Sequence, residues 1–246
     1  MKRFSAKSLW KRLSNVVSAG WTDFVQLFYP RLCVGCGDSL NREEQDLCLS
    51  CMMELPFLPL QEMLGGGFLE ERFHGRVELE GVTALLLYEK ESVTQRILHS
   101  LKYHGNKEIG LRLGKMLGAK LKGSKYDWVD VVVPVPLHKN RARSRGYNQS
   151  EWIAKGIAET LQKEVWTDVL WRVVENSTQT KKNSFERWEN VKGIFRVCEG
   201  RDLKGLHILI VDDVLTTGAT VEACALPLKT IEGVRLSVAA LAAVGL

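Results

Sequence analysis

The stretch Asp212-Asp213-Val214-Leu215-Thr216-Thr217-Gly218-Ala219-Thr220 constrains this chain more than any other. It follows an apolar run, His207-Ile208-Leu209-Ile210-Val211, that reads as a strand buried on both faces, and so as part of a parallel sheet. It leads into Val221-Glu222-Ala223-Cys224-Ala225-Leu226, which reads as the first turns of a helix. Two carboxylates therefore stand at the carboxyl end of a strand, the edge at which open α/β sheets bind ligands. The turn that follows offers backbone N–H groups at a helix start beside the hydroxyls of Thr216, Thr217 and Thr220, with Gly218 and Ala219 between them, and such a turn is a phosphate site. Asp212 and Asp213 repel phosphate and are suited to sugar hydroxyls or a divalent cation. A phosphorylated sugar fits both halves.

This stretch resembles the binding loop of type I phosphoribosyltransferases, whose ligand is phosphoribosyl pyrophosphate (PRPP). The resemblance covers both acids, the Thr-Thr-Gly turn and the strand before it.

The chain has 246 residues, enough for one large domain or a domain with a small module. Its content of 45% hydrophobic and 26% charged residues supports a folded core, and a net charge of +5 permits an anionic ligand without demanding nucleic acid. No apolar run is long enough for a transmembrane segment. Residues 1–29 are basic at their start, with Lys2, Arg3, Lys7, Lys11 and Arg12, and lack the features of a signal peptide. Leu9, Trp10, Leu13, Val16 and Val17 follow helical spacing, so an amphipathic helix is expected there, docking on the neighbouring module or touching a membrane surface or nucleic acid.

Cys33-Val34-Gly35-Cys36 and Cys48-Leu49-Ser50-Cys51 are two C-x-x-C pairs. Four thiolates at this spacing complete a tetrahedral Zn²⁺ site with no open position, which makes it structural, within a module over residues 30–60. Disulfides are the rival reading, disfavoured without a secretion signal; a reducing, cytoplasmic compartment is expected. Cys198 and Cys224 read as buried thiols.

Residues 61–246 alternate strand and helix patterns, predicting an α/β domain with a mostly parallel sheet flanked by helices. Strands are expected over 81–88, 128–135, 169–174, 194–197, 207–211 and 234–244. Helices are expected from a Ser92/Gln95 capping box to near Gly105, and over 108–121 and 149–162. Pro56 and Pro59 read as a linker, and Gly65-Gly66-Gly67 and residues 176–190 as loops. His99, His104, His138 and His207 read as packing or surface groups.

Three further stretches extend the resemblance. They are Pro134-Val135-Pro136-Leu137-His138 leading to Arg143-Ser144-Arg145-Gly146-Tyr147-Asn148-Gln149; Gln179-Thr180 before Glu186-Arg187-Trp188-Glu189-Asn190-Val191-Lys192-Gly193; and Leu101-Lys102-Tyr103. With Tyr29-Pro30 before the cysteines, this order resembles the ComF family, which joins an N-terminal zinc module to a phosphoribosyltransferase-like domain and includes competence-associated proteins. The resemblance runs from about residue 25 to the end. It implies PRPP bound with Mg²⁺: ribose on Asp212 and Asp213, the 5′-phosphate on residues 216–220, pyrophosphate near Val135, Arg143 and Lys102. Guanidinium forks suit phosphate oxygens, so Arg145 and Arg187 are candidates to stabilise a departing pyrophosphate while the two aspartates stabilise charge on the ribose. A nitrogen nucleophile would complete the transfer. Binding of PRPP or a nucleotide without turnover, and contact with single-stranded DNA or a competence-machinery protein, are the alternatives. Lys181-Lys182-Asn183 departs from the small or apolar residues usual in the family after Gln-Thr.

Overall fold

Runs of branched apolar residues form five strands that align in one parallel sheet. These are β1 (Gly81–Tyr88), β2 (Val131–Pro134), β3 (Glu164–Val165), β6 (His207–Leu215) and β7 (Arg235–Val244), in the order β1-β7-β6-β2-β3. Every pairing is parallel. Strands β1, β2, β6 and β7 are buried over nearly their whole lengths, as a sheet covered on both faces requires. A separate antiparallel pair joins β4 (Leu170–Arg172) to β5 (Phe195–Val197). The computed structural model describes residues 30–64, 67–173 and 193–245. The chain divides into two compact units, Met1–Glu54 and Leu55–Leu246. The basic N-terminal segment, Gln179-Thr180 and Arg187 lie outside the described residues.

In the first unit, Gly37 takes φ +83°, a turn open to glycine, and donates to Cys33 O at 2.8 Å. Helix α1 (Leu49–Met53) follows, capped by Cys48, whose sulfur accepts from the Cys51 N–H.

In the second unit, the Pro56 segment is not a free linker. Leu58 N–H donates to Leu85 O at 2.9 Å and Leu87 N–H donates to Pro56 O at 2.7 Å, so residues 56–58 cover the outer edge of β1. Proline is tolerated because only its carbonyl is used there. Short helices α2 (Leu60–Leu64) and α3 (Phe68–Glu71) precede β1 and stand on either side of the glycine stretch 65–67, of which residues 65 and 66 lie outside the described residues. Helix α4 (Val93–Tyr103) starts at Ser92, whose Oγ accepts from the Gln95 N–H, while Gln95 Oε1 takes the Glu91 N–H. The strand expected from residue 128 begins only at Val131. Residues Lys125–Trp128 form a 3₁₀ turn capped by Ser124, which buries Tyr126 and leaves Trp128 76% exposed.

Helices α5 (Lys107–Leu121) and α7 (Gln149–Leu161) pack against each other, and α7 lies on β2 and β6. Leu113, Leu117 and Leu121 are buried as their spacing requires. A second stripe, Gly110, Gly114 and Gly118, lets the backbones approach. A Cβ at Gly114 would stand 2.3 Å from Ile153 O, and one at Gly156 would stand 2.1 Å from Leu111 O. Helices α6 (Lys139–Arg145) and α8 (Ala219–Lys229) complete the unit. Gly156→Ala should destabilise the protein by about 2–3 kcal/mol in urea denaturation, against the roughly 1 kcal/mol that alanine's helix propensity returns.

Candidate functional site

The sheet order reverses between β6 and β2: the chain leaves β6 toward β7 on one side and leaves β2 toward β3 on the other. A crevice at the carboxyl ends of these two strands is the expected ligand position. There the structure has a cleft of about 190 Å³ lined by Lys102, Val135, Arg145, Asp212, Asp213, Thr216 and Thr220, all singled out in the sequence. Arg141, Gln149, Ser150 and Arg172 also line it.

Strand β6 runs four residues past the apolar run, to Leu215, so both aspartates lie within the strand near its carboxyl end. Asp212 pairs in register with Ala240 of β7, which fixes its backbone, and its side chain is buried. Ser150 Oγ donates to Asp212 Oδ1 at 3.1 Å, and the Asp213 N–H donates to the same oxygen at 2.8 Å. Asp213 is less enclosed and pairs with Lys102 Nζ at 3.1 Å. Burial first, and the Asp213 charge second, push the Asp212 carboxyl up to about 7.

The turn after β6 closes at Gly218, whose φ of +77° makes it the left-handed N-cap of α8, a place open to glycine. The helix starts at Ala219, two residues before the expected first turn, and Glu222 N–H donates to Gly218 O at 2.9 Å. The preceding N–H groups sit at the helix mouth, where orphan donors favour anions. Thr217 and Thr216 are exposed, and Thr220 is half-buried. The outer side of this turn is covered by residues 68–77. The Phe73 ring fills the space a Cβ on Gly218 would need, 2.7 Å away, and Arg72 and Arg76 donate to the carbonyls of Thr216 and Thr217.

The opposite wall is the end of β2. The Val135 N–H donates to Val211 O at 2.8 Å, and Asn148 Nδ2 donates to Val135 O at 2.9 Å. Val135 thus borders the cleft with both backbone groups engaged, and Pro134 and Pro136 carry no N–H. The basic stretch forms helix α6: His138 caps it and Gly146, at φ +76°, ends it. One turn of helix separates Arg141 from Arg145, which brings both to the cleft and leaves Arg143 on the exposed side, outside the lining. Arg145 Nη1 donates to Gln149 Oε1 at 3.1 Å, with its guanidinium 5.5 Å from the Tyr103 ring centroid. Gln149 Nε2 is buried with no hydrogen-bond partner among the described residues, a donor held at the cleft wall.

Ser150, Arg72 and Arg76 were not marked by the sequence, and Gln149, which closes the Arg143–Gln149 stretch, was given no role at the site. Asn148 as a helix cap was the available signal for Ser150 and Gln149, since a cap fixes which residues open the helix. Arg72 and Arg76 lie far from the turn in sequence, and no local pattern marks them.

Four sulfur atoms gather in the N-terminal unit. Those of Cys33, Cys36, Cys48 and Cys51 all lie within 4.8 Å of one another, and Cys36 and Cys48 are 3.7 Å apart. Tetrahedral thiolate coordination with metal–sulfur bonds of about 2.3 Å gives sulfur–sulfur edges of about 3.8 Å, so the four residues could hold a metal ion. Cys33 Sγ accepts N–H groups from Gly35 at 3.3 Å and Cys48 at 3.2 Å. Burial pushes the Cys33 thiol up, and backbone N–H donors from Cys48, Cys36 and Gly35 outweigh it, leaving it lowered to about 7. Burial and the neighbouring sulfurs push Cys51 up.

The raised Asp212 carboxyl sets a pH dependence. Its folded value exceeds its unfolded one, so the stability it contributes is complete below about pH 4 and is lost as pH rises through about 7. Asp212→Asn keeps an oxygen to accept from Ser150 and removes the charge. Its stability relative to the parent should rise by about 1–3 kcal/mol between pH 5 and pH 8 in urea denaturation. A difference independent of pH would show that Asp212 is ionised throughout.

No family model matches the chain. DNA utilization protein YhgH of Salmonella typhimurium is 33% identical over 129 residues, covering 51% of this chain and 56% of that protein. Competence protein F of Haemophilus influenzae is 21% identical over 202 residues, 78% of this chain and 88% of that protein. Competence protein ComFC of Bacillus subtilis is 28% identical over 134 residues, 54% and 52% of the two. The chain spans about half the length of the DNA utilization proteins it matches. Similar solved structures include an allosteric regulatory enzyme of purine biosynthesis (18% identity, 57% of this chain and 30% of that one, TM-score 0.38). A hypoxanthine phosphoribosyltransferase from Staphylococcus aureus is another (16% identity, 63% and 73%, TM-score 0.35). The homologues named for competence and DNA utilization support the ComF family for this chain, at moderate identity over about half of its length.

Proposed function

We propose that the second unit is a phosphoribosyltransferase-like domain that binds PRPP with Mg²⁺ in the cleft between β6 and β2. The observation that carries this reading is the junction of Asp212 and Asp213, at the end of β6, with the threonine-rich turn at the start of α8. Ribose hydroxyls donate to the aspartates, and the 5′-phosphate takes N–H and hydroxyl groups of residues 216–220. Arg145 and Lys102 border the side on which pyrophosphate would lie, and Gln149 Nε2, without a partner among the described residues, adds a donor to that wall. Bound Mg²⁺ would offset the pyrophosphate charge. In a transfer reaction the carboxylates would stabilise positive charge on the ribose, Arg145 and Arg187 would stabilise the departing pyrophosphate, and a nitrogen nucleophile would enter from the opposite face. PRPP held without turnover uses the same groups.

The relatives named for competence favour a role in DNA uptake, in a cytoplasmic protein without a membrane-spanning helix among its described residues. Exposed Arg143 on α6 is the group through which single-stranded DNA or a competence-machinery partner would be met. The cysteine cluster is proposed to hold structural Zn²⁺ within the first unit, whose boundary at Glu54 falls short of the residue 60 expected for the module; four thiolates leave no open position.

Thermal melts with and without PRPP and Mg²⁺ test the cleft. Ligand at 100 times its dissociation constant should stabilise the parent by about 2.7 kcal/mol, and the Asp212→Ala/Asp213→Ala variant should lose the shift. No shift in the parent would sink the PRPP reading. Metal analysis of the purified protein should give one zinc per chain. Chelation should then expose residues 33–51 to protease while cleavage in β1 and β6 stays unchanged.

A further inference from the structure

The backbone of the turn after β6 is oriented from outside by groups on residues 68–77. We propose that Arg72 and Arg76 are positioning residues of the phosphate loop, holding the Thr216 and Thr217 carbonyls outward and so aiming the next two N–H groups into the cleft. The proposal rests on the reading of this turn as a phosphate site. In a planar trans peptide the C=O of one residue and the N–H of the next point in opposite directions. Arg72 Nη1 on Thr216 O therefore turns the Thr217 N–H away from residues 68–77, and Arg76 Nη1, 2.8 Å from Thr217 O, does the same for Gly218. Arg72 Nη2 also donates to Val244 O at the end of β7, so one planar guanidinium ties the turn to the sheet. Burial lowers the Arg72 pKa, the mark of a guanidinium drawn out of water toward these carbonyls.

Arg76 has a second task. Its Nε lies 3.0 Å from Glu222 Oε2, and its Nη2 reaches the same oxygen. Glu222 is 6% exposed and stands in the first turn of α8, where an unpaired carboxylate would oppose a bound phosphate. Pairing with Arg76 removes that opposition. Phe73 seated under Gly218 completes the hold.

Three variants test this: Arg72→Gln, Arg72→Lys, and Arg76→Gln/Glu222→Gln, the last leaving no buried carboxylate without its partner. Hydrogen exchange without ligand should show amides 216–221 exchanging about tenfold faster in each, with β1 and β6 at parent rates. Lysine should fail to rescue Arg72, because one ammonium does not span two carbonyls. Ribose 5-phosphate should bind each variant about tenfold more weakly than the parent. Parent-like exchange of the turn, or undiminished ribose 5-phosphate affinity, would overturn the proposal. If the parent itself binds no ribose 5-phosphate, the phosphate reading fails, while the exchange rates still decide whether the two arginines order the turn.

Discussion

The carboxylate of Asp212, taken out of water at the end of the central strand, is the interaction that much of the second unit is arranged around. An isolated buried carboxylate is costly, and cost is contained only by donors aimed at it. One donor is its neighbour's N–H and the other is Ser150 Oγ. Ser150 can be there only if α7 begins at Gln149. That start follows from left-handed Gly146 ending α6 and Asn148 capping α7 while its amide holds Val135 O. Helix α7 in turn lies at its height over β2 and β6 because Gly156 meets Gly114 and Leu111 backbone to backbone on α5. A methyl group between two helices would therefore be felt at a carboxylate more than one helical turn away.

Strand order supplies the opening that this arrangement surrounds. With β7 following β6 on one side and β3 following β2 on the other, the crossovers diverge and leave the carboxyl ends of β6 and β2 uncovered. Acidic, basic, hydroxyl and amide groups from β6, α4, α6, α7 and α8 reach the same space although they are scattered from Lys102 to Thr220. The edges of the sheet are treated differently: residues 56–58 add a short antiparallel segment along β1, which removes an exposed edge.

The sequence made the parallel α/β architecture legible because buried strands carry unbroken apolar runs and the helices carry their caps. The bounds of β1, α5, α7 and β7 follow from those signals to within a residue or so. Departures came where a local signal met a tertiary one. Trp128 belongs to the apolar run before β2 by composition, yet Ser124 nucleates a turn that turns it to solvent. Asp212 and Asp213 read as the carboxyl end of the strand, yet ladder pairing with β7 carries the strand on to Leu215. The basic run 139–145 has no apolar stripe to mark it as a helix, yet His138 and Gly146 cap it as α6. The cleft could be read as far as its residues are contiguous in sequence. Ser150 sits behind a cap and was inferable; Arg72 and Arg76 act across nearly the whole length of the unit and were not.

The two aspartates are adjacent but not equivalent, and the difference decides how a ligand could use them. Asp213 keeps partial solvent access and is paired with a single lysine that is itself 24% exposed. Lys102 reaches Asp213 through a single ammonium on a flexible stem, so a cation or sugar hydroxyl in the cleft would compete with it for the carboxylate. Asp212 is held by two hydrogen bonds in a buried setting and is pushed toward its neutral form. A cation at the cleft would favour its ionised form and draw a proton off as it bound. A cation in the cleft would thus be registered at the rigid carboxyl group, and a ligand would compete first at the exchangeable one.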